Sequence, residues 1–238
     1  MPELTVICAR PDGQDEAVGP PISPVLDALA QYTDAPVQFV GRFPGKDIDA
    51  LLTGRIVVIG EENQLAAVVL RMLRRGLLGT PETGPPDAHT EVAYIALQRN
   101  EFSTRWRLPI GADAVGTALG GVAFPVPVVR DDAGGVLISH GEIDDPVATV
   151  YVDERQILAG PASRLIVRPD PAQGVAVTIE RRRALRLPPR REVHLGRAVS
   201  IGFAEPTVVT SDGVPRPRPA ARWTYYAHTE PLYLVRPS

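Results

Sequence analysis

The sequence predicts an α/β fold followed by a β-rich part. We expect an N-terminal three-layer α/β lobe with a mostly parallel sheet over residues 1–111, and a C-terminal antiparallel β-rich lobe over residues 112–238. A chain of 238 residues has room for two domains of ordinary size. Strand and helix patterns alternate in the first half, which is typical of a parallel sheet. Short strand patterns separated by turns fill the second half, which is typical of antiparallel sheets.

The elements of the first lobe follow from hydrophobic periodicity. Short apolar runs bounded by Pro or Gly predict buried strands, and apolar residues spaced by three and four predict helices. The helix over residues 65–78 has the clearest pattern, with arginines near its C-terminal end, where the helix dipole favours cations. The predicted strands are residues 4–9, 37–40, 55–59 and 91–97. The predicted helices are residues 22–32, 47–52, 65–78 and 100–106, with a surface loop rich in Pro and Gly over residues 81–87.

The second lobe shows only strand and turn patterns. Asp212-Gly213 has the composition of a tight hairpin turn. The last strands could pack back on the first lobe. The predicted strands are residues 126–130, 135–139, 148–152, 165–168, 175–180, 193–203, 207–210, 221–226 and 231–235.

Composition and charge restrict the classes of partner. Hydrophobic residues make up 44% of the chain and aromatic residues only 5%, so the core must be mostly aliphatic. The formal net charge of -3 argues against a surface that neutralises a phosphate backbone, despite local arginine clusters. We therefore expect no nucleic-acid partner.

Cysteine usage and the start of the sequence predict the compartment. Cys8 is the only cysteine, so it cannot form a disulfide within one chain, and its apolar neighbours predict a buried thiol. The sequence opens on a strand pattern without a basic-then-apolar leader, and no apolar stretch is long enough to span a bilayer. These features predict a cytoplasmic protein.

The turn Gly60-Glu61-Glu62-Asn63-Gln64 joins a predicted strand directly to a predicted helix. Such a turn brings unpaired backbone N–H groups and the positive end of the helix dipole to one point, which attracts anions. Phosphate cradling normally needs glycines there, and only Gly60 supplies that freedom. Glu61 and Glu62 add carboxylates beside the same N–H groups. One like charge about 4 Å from a phosphate costs on the order of 4 kcal/mol at an effective dielectric near 20, so the turn opposes polyphosphate in the usual position.

Residues 57–65, Val-Val-Ile-Gly-Glu-Glu-Asn-Gln-Leu, resemble the Val-Val-x-Gly-Gly-Asp-Gly-Thr-Leu motif of the diacylglycerol kinases, whose relatives include sphingosine and NAD kinases. Residues 97–102, Leu-Gln-Arg-Asn-Glu-Phe, are similar to the family's Gly-Thr-Gly-Asn-Asp-Phe, and Leu108-Pro109 to the apolar-Pro pair that closes it. Residues 205–213 are similar to a late hairpin carrying Asp-Gly-Glu, and residues 232–237 to the closing strand. The resemblance implies a fold like that of NAD kinase and diacylglycerol kinase.

The sequence differs from the motifs of this family at several positions. Glycines are missing from the first two motifs, and Arg10-Pro11-Asp12-Gly13 replaces an Asn-Pro. Gly174-Val175-Ala176-Val177 stands where the family has Asp-Gly-x-Leu-Asp, a carboxylate pair associated with metal and base. Function must be argued from the site rather than the fold. We therefore expect a diacylglycerol-kinase-like protein with a degenerate ATP-phosphate loop, acting as a non-catalytic binding or regulatory module. The alternative is an active ATP-dependent lipid kinase with a divergent loop that uses ATP and Mg²⁺.

The resemblance assigns any surviving nucleotide site to six residues. Glu62 would be catalytic only in an active kinase, where it would hold magnesium in place of the family aspartate. An ordinary turn capped by its own glutamates is the favoured explanation of the residues after Gly60. An Asn N-cap followed by a first-turn carboxylate explains Asn100 and Glu101 equally well. No metal site is otherwise expected. The six residues are Gly60, Glu62, Asn63, Gln64, Asn100 and Glu101.

The remaining polar clusters have mostly structural explanations. A loop containing His140, Glu142, Asp144 and Asp145 lacks zinc-like spacing. No nucleophile motif accompanies the other histidines. Arginines at positions 181–183, 186, 190 and 191 could make a peripheral membrane contact with anionic lipid, although a plain exposed loop explains them as well.

Two partner hypotheses stay open. A lipid or protein ligand could occupy the cleft between the predicted lobes. Edge strands of the β-rich lobe could pair between two copies of the chain and make a homodimer.

Overall fold

The computed structural model describes residues 4–9, 22–79, 89–182 and 189–237. The chain divides into two compact units, the first containing residues 1–126 and 230–238 and the second residues 127–229. The sequence placed the boundary after residue 111 instead; residues 112–126 join the first unit because they form a helix and a strand of its sheet. Two sequence features, Arg10-Pro11-Asp12-Gly13 and the loop over residues 81–87, lie outside the described residues.

The first unit contains a mostly parallel sheet, as predicted. Its described strands follow the order β2-β1-β3-β4-β18-β5, in which all neighbours are parallel except β18 and β5. Strand β1 pairs with β2 on one side and with β3 on the other. The strands are β1 (Leu4–Ala9), β2 (Val37–Val40), β3 (Arg55–Gly60), β4 (Glu91–Ala96), β5 (Val122–Val126) and β18 (Leu232–Arg236).

Helices cover both faces of this sheet and give the predicted three layers. Val25 and Val115, from α1 and α4, join one core cluster with Val57 and Ile59. On the other face, α2 packs against β3 and a 3-10 turn over Lys46–Leu51. The helices are α1 (Ser23–Ala30), α2 (Glu62–Arg75), α3 (Glu101–Arg105) and α4 (Ala114–Gly120). Among the described helices, none combines the length and apolarity that crossing a membrane requires.

Helix α4 was not predicted from the sequence, which placed residues 112–125 in the β-rich lobe and assigned them no element. Its sequence, Ala-Val-Gly-Thr-Ala-Leu-Gly, contains two glycines and a threonine, which are weak helix formers. Ala114, Val115 and Ala118 are buried, so packing of this apolar face decides the conformation that local propensity leaves open.

The second unit is built from antiparallel strands, as predicted. Its described strands form two six-stranded sheets, with the orders β10-β9-β14-β17-β6-β7 and β13-β12-β11-β8-β15-β16. Both sheets contribute to one apolar core, which includes Val150, Ile201, Leu165 and Val177. The strands are β6 (Val129–Asp131), β7 (Val136–Leu137), β8 (Gly141–Asp144), β9 (Val147–Val152), β10 (Arg155–Pro161), β11 (Arg164–Asp170), β12 (Gly174–Arg181), β13 (Arg190–Gly196), β14 (Ala198–Thr207), β15 (Thr210–Ser211), β16 (Val214–Pro215) and β17 (Ala220–Ala227).

Residues 193–203, predicted as one strand, are in fact two strands in different sheets. The chain leaves β13 at Gly196 and enters β14 at Ala198. Asp153 fixes this corner because its carboxylate accepts the backbone N–H groups of Arg197 and Ala198, each at 3.0 Å. The predicted hairpin turn at Asp212-Gly213 is confirmed, and both residues have positive φ, 46° and 76°.

Candidate functional site

The two sequence motifs lie side by side at the carboxyl edge of the parallel sheet. Strand β3 ends at Gly60 and β4 ends at Ala96, and these two residues are paired in register. The chain then enters α2 after Gly60 and α3 shortly after Ala96. In open α/β sheets, the carboxyl edge is where ligands generally bind. The structure therefore brings the six predicted site residues into one region of the first unit.

Gln64 fills the turn after β3. Glu61 is the N-cap of α2, and the Gln64 side-chain oxygen accepts the backbone N–H of Glu61 at 2.7 Å. Gln64 is only 1% exposed. Gly60 has φ 154°, and a Cβ at this position would collide with Oε1 of Gln64. The Gln64 side chain can therefore take this position only because residue 60 has no Cβ.

Glu62 connects the beginnings of the two helices. It is the first residue of α2, and its Oε2 accepts the backbone N–H of Phe102, in the first turn of α3, at 2.9 Å. Phe102 is 1% exposed, so this N–H group has little access to water. A carboxylate near a helix N-terminus is stabilised by the unpaired N–H groups and the helix dipole. The Glu62 carboxylate thus accepts an N–H group in the first turn of α3.

Asn100 uses its side chain within the protein. It is the N-cap of α3, where its Oδ1 accepts the N–H of Ser103 at 2.8 Å and the Ser103 hydroxyl lies 3.1 Å from the N–H of Asn100. Its Nδ2 donates to the Tyr94 hydroxyl at 2.8 Å, and this hydroxyl donates to the Gly60 carbonyl at 3.1 Å. A chain of hydrogen bonds therefore links the two turns. Glu101, the first residue of α3, is half-buried in the same turn.

Burial raises the pKa of Tyr94. Loss of hydration raises the pKa of the Tyr94 hydroxyl far above its ordinary value, and the charges of Glu62 and Glu61 raise it further, while the hydrogen bond from Asn100 acts against them. The phenol therefore stays neutral at alkaline pH values where an exposed tyrosine ionises, and it continues to donate to the Gly60 carbonyl.

Tyr94 and Ser103 are site residues that the sequence analysis missed. A tyrosine inside the apolar strand Glu-Val-Ala-Tyr-Ile-Ala was an available signal, because a buried phenol needs a hydrogen-bond partner. Ser103 follows the Asn N-cap by three residues, the spacing of a capping box.

A shallow cavity of about 640 Å³ lies in the same unit, near α3. Arg99 lines it and donates from Nη1 to the Leu108 carbonyl at 2.9 Å. Arg107, at its edge, has φ 54°. The lining residues are Arg99, Thr104, Arg107, Leu108, Pro109 and Pro237.

One motif match and one departure from the family fall in the second unit. Asp212 of the Asp-Gly hairpin accepts the backbone N–H groups of Ile138, Ser139 and His140 at 3.0, 2.9 and 3.1 Å, which is a structural role. Residues 174–177 form the start of β12, where Val175 and Val177 are buried in the core. No carboxylate pair stands at these four positions.

The other candidate clusters consist of paired charges. Arg164 lies 3.0 Å from both Glu142 and Asp144, and Arg182 lies 2.8 Å from Asp145. In the residues that the structure describes, no group of three or more His, Cys, Asp or Glu could hold a metal ion. Of the basic cluster, Arg183 and Arg186 lie outside the described residues, and the other members pair with carboxylates: Arg181 and Arg190 with Glu192, Arg182 with Asp145, and Arg191 with Glu180.

Comparisons with known proteins agree with this architecture. No model of a known protein family matches the chain, and no curated protein sequence is significantly similar to it. Among solved structures, a diacylglycerol kinase from Bacillus anthracis str. Sterne is similar over 99% of this chain and 97% of its own, with a TM-score of 0.66 at 11% identity. An NAD kinase from Archaeoglobus fulgidus in complex with ATP is similar over 98% of this chain and 94% of its own, with a TM-score of 0.61 at 12% identity. The chain therefore has the fold of the diacylglycerol kinases and NAD kinase along nearly its whole length.

Proposed function

We propose that this protein is a non-catalytic binding or regulatory module built on the diacylglycerol kinase fold. One observation carries the proposal. At the carboxyl edge of the sheet, backbone N–H groups of the two turns donate to side-chain oxygens of the protein itself. Gln64 accepts the N–H of Glu61 at 2.7 Å, and Glu62 accepts the N–H of Phe102 at 2.9 Å.

Two features together disfavour the binding of polyphosphate: the backbone N–H donors are already hydrogen-bonded, and two glutamates add negative charge. Phosphate at a helix N-terminus is held by unpaired N–H groups and the helix dipole, and here both turns direct such groups toward side-chain oxygens. Glu61 and Glu62 are half-buried beside the same turn, so solvent screens their charges only partly. At about 4 kcal/mol for one like charge at 4 Å, the repulsion alone would weaken phosphate binding roughly a thousandfold.

The residues present do not fit a magnesium-bound nucleotide. Magnesium prefers oxygen ligands in octahedral geometry, shared between carboxylates and phosphates. The Glu62 carboxylate already accepts an N–H group of α3. The Asn100 side chain is already hydrogen-bonded to Tyr94 and Ser103. Positions 174–177, where the diacylglycerol kinase family carries carboxylates, contribute two buried valines. The arrangement therefore does not support phosphoryl transfer from a magnesium-bound nucleotide.

Titration calorimetry with ATP and magnesium tests the proposal, alongside a phosphorylation assay with diacylglycerol in mixed micelles. The matched comparison is the variant Glu61→Gly, Glu62→Asp, Asn63→Gly, Gln64→Thr, which restores the Gly-Gly-Asp-Gly-Thr sequence. We expect no binding heat and no turnover from the wild type at millimolar nucleotide, and weak binding from the restored variant if circular dichroism shows it folded. Turnover that scales with wild-type concentration would overturn the proposal.

One observation favours the alternative, an active lipid kinase with a divergent loop. Among the described residues, Nε2 of Gln64 and Oδ1 of Asn63 are buried without a hydrogen-bond partner. Buried polar atoms without partners are rare, and Nε2 could donate to a phosphate oxygen. If this function is correct, the wild type binds ATP and Gln64→Ala abolishes that binding. Wild-type calorimetry that shows no heat removes the alternative.

A further inference from the structure

Strand β13 is the outermost strand of its sheet. It pairs with β12 over Arg190–Gly196, with Val193 opposite Thr178, and no described strand lies on its other side. An exposed edge of this length presents a row of backbone N–H and C=O groups that another strand can pair with. The other outer strands of the two sheets are less suited to pairing with another strand. Strands β7 and β16 have two residues each, and β10 ends in Pro161, which has no N–H group to donate.

The side chains of β13 add an apolar surface to this edge. Val193 is 61% exposed and Leu195 is 47% exposed, and residues two apart in a strand share a face. Natural edge strands are usually protected by charged side chains. The two arginines of β13 protect it weakly, because Arg190 lies 3.2 Å from Glu192 and Arg191 lies 2.7 Å from Glu180. An apolar edge strand with neutralised charges is typical of an interface.

We propose that β13 pairs antiparallel with β13 of a second copy of this chain, with Val193 on the two-fold axis. This interface is independent of the function proposed for the turn at Gly60. In a symmetric dimer each residue contacts the symmetry-related position, so the strand must be complementary to itself. With Val193 opposite Val193, Glu192 lies opposite His194, Arg191 opposite Leu195 and Arg190 opposite Gly196.

Charge and the bounds of β13 together select this register. Opposite residues of an antiparallel pair point to the same face, so the axis has to pass through a residue rather than between two. An axis through Arg191 or Glu192 would place identical charges opposite each other. An axis through His194 would place Arg191 opposite Arg197. An axis through Leu195 would pair only residues 194–196 of β13, whereas the axis through Val193 pairs the whole strand. The axis through Val193 brings no like charges together and places a carboxylate opposite an imidazole.

The same register covers the apolar face. The two Val193 side chains would have Cβ atoms about 4.5–5.5 Å apart, and each Leu195 would lie against the aliphatic part of Arg191 from the other copy. One strand pair buries less area than a standard permanent interface. We therefore expect a dimer whose population depends on protein concentration.

Disulfide trapping tests the register. Val193→Cys should cross-link under mild oxidation, because residues on the axis come within the range of a disulfide. Leu195→Cys is the matched control: its two copies would be four residues apart along the strand pair, about 14 Å, and should not cross-link. Wild type controls for Cys8, which is fully buried in β1.

Light scattering over a concentration series tests the interface itself. We expect the wild type to approach the mass of a dimer as concentration rises, and Val193→Arg to remain a monomer. Val147→Arg, at a valine of β9 that is 50% exposed, should still dimerise. A wild type that is monomeric up to about 1 mM would overturn the proposal. So would a dimer that Val193→Arg leaves intact, or a cross-link that forms in the Leu195→Cys variant and not in the Val193→Cys variant.

Discussion

The carboxylate of Glu62 and the backbone N–H of Phe102 are joined by a hydrogen bond of 2.9 Å, which connects the first residue of α2 to the first turn of α3. The two residues are 40 positions apart in sequence. The bond lies at the carboxyl edge of the sheet, beside the paired ends of β3 and β4. One side chain thus joins the N-terminal turns of two helices at this edge.

Removing the Glu62 carboxylate should destabilise the protein. Glu62→Ala leaves the buried N–H of Phe102 without an acceptor, and we expect a loss of about 1–3 kcal/mol in the free energy of unfolding. Glu62→Gln retains an acceptor without the charge and should lose about half as much. Urea denaturation followed by circular dichroism measures both. Glu154→Gln, at an exposed turn position, is the control and should change stability little. Equal stability of wild type and Glu62→Ala would show that the bond contributes nothing.

Gly60 and Gln64 should be energetically coupled. Gly60→Ala combines an unfavourable φ with a collision against Oε1 of Gln64, and should cost more than about 2 kcal/mol. Gln64→Ala removes one helix cap and should cost about 1–2 kcal/mol. The double variant should lose less than the sum, by at least about 0.5 kcal/mol, because the collision is gone.

The control for this cycle is Gly76→Ala. Gly76 ends α2 with φ 66°, and a Cβ there would meet nothing within 4 Å. Its cost is therefore conformational only, and it should add to that of Gln64→Ala. Strict additivity at Gly60 would mean that Gln64 moves aside without cost.

Periodicity and turn chemistry made the framework of this site predictable. The apolar spacing of residues 65–78 and the short run at residues 55–59 predicted β3 and α2, and hence the turn between them. The N-cap role of Asn100 also followed from residue type and position. Local patterns suffice where neighbours in sequence are also neighbours in space.

Contacts between distant segments were beyond sequence reasoning. The bond from Glu62 to Phe102 and the path from Gly60 through Tyr94 to Asn100 exist only because β3 and β4 lie side by side. Helix α4 was missed because tertiary packing overrides its weak propensity. The division of residues 193–203 was missed because the corner is held by Asp153, from a different hairpin.

Stability at alkaline pH should report on Tyr94. Burial raises the pKa of its hydroxyl above the ordinary value of 10.0, so the folded protein keeps a proton that the unfolded chain releases. The contribution of protonated Tyr94 to the free energy of unfolding is fully present below about pH 10. It falls as the pH rises further, by at most about 1.4 kcal/mol per pH unit. Tyr94→Phe should reduce this slope, measured by urea denaturation from about pH 9 to about pH 11. Burial also raises the pKa of Tyr225, so part of the slope should remain until Tyr225→Phe is added. Parallel profiles for wild type and Tyr94→Phe would contradict the assignment.

Stability at acid pH should report on the ion pair between Asp49 and Arg71. Arg71, on α2, donates from Nε and Nη2 to the two carboxylate oxygens of Asp49 at 2.8 and 2.6 Å, which fastens the helix to the preceding 3-10 turn. The hydrogen bonds from Arg71 lower the pKa of Asp49 below its ordinary value of 3.8. The folded protein therefore releases this proton more readily than the unfolded chain, so the stabilisation is present at neutral pH and is lost as pH falls through the lowered pKa.

Asp49→Asn should therefore lower the urea midpoint at neutral pH, and the difference from wild type should shrink at about pH 3 and below. Asp27→Asn, an exposed position on α1, is the control and should shift the midpoint little at either pH. Arg71→Lys keeps the charge but cannot make both hydrogen bonds, so it should fall between wild type and Asp49→Asn at neutral pH. A difference between wild type and Asp49→Asn that is the same at both pH values would indicate that the loss comes from packing rather than from the ionised carboxylate.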